Sequence, residues 1–119
     1  MQYLLTLTYR DGEGPQEGTP EFAEEMKVWG ALNEELKAAG QMVAASGLQP
    51  DTATTVRGDV VTDGPYAETK EILFSFYILD LPDMDAALAL ARRMPASRYG
   101  SVTITATAHF EMPSPADRP

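Results

Sequence analysis

Tyr3, Leu5, Leu7 and Tyr9 alternate with Leu4, Thr6 and Thr8, the period of two that sets successive side chains on opposite faces of a strand. From Asp11 to Gly18 the chain holds three glycines, a proline and three acids without any period, and reads as a solvated loop. Thr19-Pro20 then opens a helix. Threonine accepts a backbone bond at the N-cap, and proline at the first helical position has no N–H to leave unpaired. Phe22, Met26, Trp29, Leu32 and Leu36 follow at intervals of four, three, three and four, one apolar stripe with Glu21, Glu24, Glu25, Glu34 and Glu35 beside or opposite it. Gly40 suits the left-handed position that terminates such a helix, so its last residue falls near Ala39.

Met42–Ala45 is a short second strand. Thr54–Arg57 and Val60–Thr62 flank Gly58-Asp59 as a β-hairpin, with glycine where a type II′ turn needs it. Asp63-Gly64-Pro65-Tyr66 forms a further turn, and Ile72–Leu79, apolar on both faces, reads as the buried middle strand of the sheet. Asp83 caps a second helix with Met84, Ala87, Leu88, Ala91 and Met94 on one stripe and Arg92-Arg93 at its cationic end; Pro95 stops it. Val102, Ile104, Ala106, Ala108 and Phe110 alternate with threonines and His109 in a last strand, and residues 112–119 make a proline-rich tail that is expected to be mobile.

This order, β-α-β, hairpin, β-α-β, predicts an α+β domain over residues 1–111. Its core is a ferredoxin-like split βαβ arrangement with an extra β-hairpin and both helices on one face of an antiparallel sheet. The other face carries large side chains and leaves more apolar surface in water than a soluble monomer usually shows. Two such sheets packed face to face, a dimeric α+β barrel, cover it. The expected partner is therefore a second copy, in a homodimer.

At 119 residues and 44% apolar, one domain with its own core is expected. Nine basic and 18 acidic residues give a net charge of −9, which opposes binding to nucleic acid or to an anionic membrane surface. There is no cysteine, so disulfides, thiolate metal sites and cysteine nucleophiles are excluded. The first apolar segment lacks the flanks of a signal peptide and no later run matches a spanning helix, which makes a cytoplasmic protein the default expectation.

The stretch Val61-Thr62-Asp63-Gly64-Pro65-Tyr66-Ala67-Glu68-Thr69-Lys70-Glu71 closely resembles the signature of the DGPF group within the YCII-related proteins. Asn33–Gly40, Gly47–Pro50 and Pro95–Val102 agree with it in order. The resemblance implies a ferredoxin-like dimeric α+β barrel and a pocket beside the Asp-Gly-Pro turn at the dimer-proximal cleft. It implies no settled reaction; an aspartate–histidine pair and a link to extracytoplasmic-function sigma factors are associated with the family. Tyr66 stands where phenylalanine is usual, and the N-terminal half has no histidine to pair with Asp63.

Asp63 reads either as a turn residue that accepts backbone N–H groups or as a general base at the mouth of a cleft. Around it, Tyr66 is a candidate phenol donor, Lys70 a candidate holder of an anionic group, Arg98 a candidate guanidinium fork and Tyr9 a candidate cleft wall; each also has a plain structural reading as packing or surface charge. His109 is the single histidine and is expected at a solvent or dimer edge. Asp83-x-Asp85 complements a helix dipole without an ion, and Gly12-x-Gly14 lies among acids that repel phosphate, so neither metal nor nucleotide cofactor is expected.

Two functions follow. One is the binding or transformation of a small molecule next to the Asp63-Gly64-Pro65 turn. The other is a non-catalytic regulatory role through the acidic surface, since residues 11–35 hold eight of the 18 acids against one lysine.

Overall fold

The computed structural model describes residues 1–64 and 71–108. Along the chain they form β1 (Gln2–Arg10), α1 (Pro20–Ala38), β2 (Met42–Gly47), a 3-10 turn (Pro50–Thr52), β3 (Thr54–Arg57), β4 (Val60–Asp63), β5 (Glu71–Asp80), α2 (Met84–Arg93), α3 (Ala96–Tyr99) and β6 (Gly100–Ala106). Four strands make one antiparallel sheet in the order β2-β5-β1-β6, while β3 and β4 pair apart from it. With the hairpin set aside, this is the ferredoxin-like strand order: the strands joined through α1 are separated by β5, and those joined through the second helical stretch by β1.

The helix ends follow the chemistry read from the sequence. The Phe22 N–H donates to Thr19 Oγ1 at 3.2 Å, and the Ala86 N–H to Asp83 Oδ1 at 2.8 Å. At the C-terminus of α1 the N–H groups of Gly40 and Gln41 reach the carbonyls of Lys37 and Leu36, both at 3.0 Å, which is the Schellman pattern. The hairpin pairs Arg57 with Val60, leaving Gly58-Asp59 as its turn.

Three boundaries differ from expectation. The second strand continues to Gly47. Pro95 does end α2, because the residue before a proline is pushed out of the helical region and Met94 has ψ 126°. Pro95 itself, at φ −54° and ψ −33°, is the N-cap of α3. The last strand begins at Gly100 and closes at Ala106 instead of continuing through residue 110. His109 and the tail lie outside the described residues.

The core lies between the sheet and the helices. Tyr3, Leu5 and Leu7 of β1, with Tyr77 and Leu79 of β5, meet Leu32 and Leu36 of α1, and Ala87, Leu90 and Met94 of the second helical stretch. Arg93, expected only to offset the helix dipole, also forks onto Glu35 of α1, with Nη1 to Oε1 at 3.0 Å and Nη2 to Oε2, and so ties the two helices at the surface. The opposite sheet face carries Leu4, Thr6 and Thr8 against Ile78, Phe76 and Leu73 in register, and Leu73 is 44% exposed.

Candidate functional site

The apolar stripe of α1 does not lie flat on the sheet. Leu32 and Leu36 are buried, whereas Phe22 and Trp29 are half-buried and Met26 is 43% exposed. Beneath this standing-off N-terminal half run two adjoining cavities of about 420 and 440 Å³ that share Met26, Trp29 and Phe74 as walls. The first continues over Leu7, Tyr77, Met42 and the end of β2. The second reaches Tyr9, Tyr99 and the acidic loop 11–17.

Phe74 reaches this groove through a β-bulge. Leu7 pairs with Ser75 and Thr8 with Leu73, so Phe74 is an extra residue on β5 without a partner on β1. Strict alternation would set Phe74 on the outer face beside Phe76. Instead its ring packs against the core at 5.4 Å from that of Tyr9.

Tyr99 is set by two glycines. At Gly100, which faces Tyr9 across the ladder, a Cβ would overlap the carbonyl oxygen of Thr8, so only glycine lets β6 close onto β1 directly after Tyr99. At Gly14 the backbone has φ +85° and a Cβ would stand 2.8 Å from the Tyr99 ring, so the acidic loop rests on that ring.

The polar part of the groove centres on Glu25. Its Oε2 accepts the Tyr99 hydroxyl at 2.8 Å and the Trp29 indole N–H at 3.3 Å, while Oε1 has no partner among the described residues. Burial, and then the Glu25 carboxylate, push the Tyr99 phenol well above the ordinary phenol range, which keeps it a neutral donor. At the other end the Tyr77 hydroxyl donates to Asn33 Oδ1 at 2.7 Å, and the Trp29 and Tyr77 rings stack at 6.3 Å. Burial raises the Tyr77 phenol as well. These groups can hold and orient a ligand; none is an activated nucleophile.

Of the residues singled out in the sequence, Tyr9 is in the groove. Arg98 is exposed at the end of α3 and lines two other cavities, of about 460 and 250 Å³, without an ion pair among the described residues. Asp63 is exposed at the end of β4, opposite Thr54, and lines none of these four cavities. Gly64 after it is held by its N–H on the Ala53 carbonyl at 2.6 Å and by Thr55 Oγ1 on its own carbonyl at 2.7 Å. Tyr66 and Lys70 lie outside the described residues. In the sequence Met26 and Trp29 belong to one apolar stripe and Glu25 stands beside or opposite it, which marks none of them as a site. The one available signal for their role was the spacing of four between Glu25 and Trp29, which brings carboxylate and indole together on a helix.

The sheet order, its helical layer and the groove between them define a ferredoxin-like α+β domain. The profile of the YCII-related domain matches residues 1–111, and the chain belongs to that family. It is also 39% identical over 72 residues to a protein of Rhizobium meliloti (strain 1021) named "Uncharacterized protein R00369". That match covers 56% of this chain and 58% of the relative. No helix among the described residues is long and apolar enough to cross a membrane.

Proposed function

We propose that this protein is a homodimeric binding protein for a small organic molecule, which it holds in the groove between α1 and the sheet. The observation that carries the reading is the pair of adjoining cavities walled by Met26, Trp29 and Phe74, in the size range of small-molecule sites, the first lined mainly by apolar and aromatic groups and the second by aromatic groups and acidic residues. Trp29 is the only tryptophan in the chain and borders both cavities, so its fluorescence reports occupancy directly. Titration with small aromatic compounds should change that emission saturably. A response that stays linear up to the solubility limit would sink the proposal.

The dimer is supported by the outer sheet face. Leu4, Leu73, Phe76 and Ile78 form an apolar row there that a second copy of the sheet would bury, giving the α+β barrel. Sedimentation should find dimers at micromolar concentration, and Phe76→Lys should yield folded monomers. Membership of the DGPF group is supported by the Asp63-Gly64-Pro65 turn. Asp63 borders no cavity of its own protomer described above, so a role as base depends on a cleft completed by the partner. If a reaction is found, Asp63→Asn should abolish it; turnover that survives the change removes Asp63 from the chemistry.

A further inference from the structure

We propose that the loop-side end of the groove selects organic cations, an ammonium group carried on an apolar or aromatic body; this rests on the groove being the binding site. The second cavity is walled by the rings of Tyr9, Phe22, Trp29, Phe74 and Tyr99. Four acidic residues, Asp11, Glu13, Glu17 and Glu25, line it as well, and no lysine, arginine or histidine does among the described residues. Among the described residues the one cation bordering either cavity of the groove, Lys37, is at the far end and pairs with Glu34 at 3.7 Å.

The hydrogen bonding points the same way. Of the side-chain donors at this end, the Tyr99 hydroxyl and the Trp29 indole N–H are both committed to Glu25 Oε2, which leaves an anion only the neutral Tyr9 hydroxyl and Gln16 amide to meet among several acids. What the site offers a cation is several aromatic rings and the Oε1 of a half-buried carboxylate, unpartnered among the described residues. These are the complement of a desolvated cation, which is drawn to π faces and to carboxylate oxygens and repelled by neither. The apolar body of the ligand then has Phe74, Met26 and the first cavity to occupy.

The test uses the full chain and three compounds that share a phenyl ring and a two-carbon chain: phenethylamine as its ammonium, 2-phenylethanol and 3-phenylpropionate. Binding is read by Trp29 fluorescence and by calorimetry. The ammonium should bind on the order of tenfold more tightly than the alcohol, with the carboxylate weakest. Added salt should weaken the ammonium and leave the alcohol unchanged.

Glu25→Gln keeps an amide oxygen to accept from Tyr99 and Trp29 while it removes the charge. It should bring the ammonium to within about twofold of the alcohol. If that variant does not fold, the double change Asp11→Asn, Glu13→Gln on the exposed loop should still narrow the gap between ammonium and alcohol. Alcohol or carboxylate binding as tightly as ammonium overturns the cation preference and leaves the groove as a binding site. Saturable binding by none of the three overturns both.

Discussion

The two halves of α1 carry one continuous apolar stripe and meet opposite fates. In the C-terminal half Leu32 and Leu36 sink against the sheet and are 3% and 2% exposed. In the N-terminal half Phe22, Met26 and Trp29 stand over open space, and a carboxylate that sequence reading assigns to water is drawn in beside Trp29. The same periodicity thus produces a core in one place and the roof of a groove in another. The difference comes from what lies opposite: the flat, paired stretch of β1 and β5 under Leu32 and Leu36, and the bulged stretch with the glycine-bearing loop under Phe22 and Trp29.

The contrast can be broken by truncating each half. Leu36→Ala should cost about 3 kcal/mol in urea unfolding, the range for a buried leucine whose site cannot collapse. Trp29→Ala should cost about 1 kcal/mol, the ordinary value for a partly exposed position, and remove binding in the groove as seen by calorimetry. A Trp29→Ala penalty as large as that of Leu36→Ala would mean that the N-terminal half is core after all. Tyr99→Phe sharpens the comparison further: losing one hydrogen bond to Glu25 should cost about 1 kcal/mol. Asp63→Asn, on the exposed hairpin, should move stability by less than about 0.5 kcal/mol and leave groove binding unchanged.

The smallest effect belongs to the exposed bridge between the helices. Hydrogen bonding to Arg93 lowers the Glu35 pKa. Because the folded value is depressed, the bridge's contribution is full above the ordinary carboxylate range and is lost as pH falls through the lowered value. Thermal melts of wild type and Glu35→Gln should differ slightly at neutral pH and converge in acid.

Strand and helix identities were legible because each is written in local signals: alternation in β1, caps at Thr19 and Asp83, the terminator at Gly40. The ferredoxin-like strand order followed from element sequence and crossover rules. Most of the groove was not legible. A bulge leaves no periodic trace, since Phe74 sits in an apolar run that fits either face. Gly14 and Gly100 look like ordinary loop residues until the Tyr99 ring and the Thr8 carbonyl are placed against them. The attention that the Asp63 turn drew came from its signature, and signature residues mark what a family shares without saying where a single protomer keeps its cavities. Tyr9 was a candidate wall for a cleft beside the Asp63 turn, and the structure sets it in the α1 groove instead.

Since Phe74 is supernumerary to the ladder, its neighbours Leu73 and Ser75 already hold consecutive places opposite Thr8 and Leu7. Excising it would leave both flanks in step with β1, and would take from the Leu48 N–H its acceptor, the Phe74 carbonyl at 2.8 Å. The floor of the recess is in this sense a detachable tile: related chains one residue shorter here, or with a smaller group in that place, can offer roomier quarters to a different guest while the scaffold beneath stays as it is.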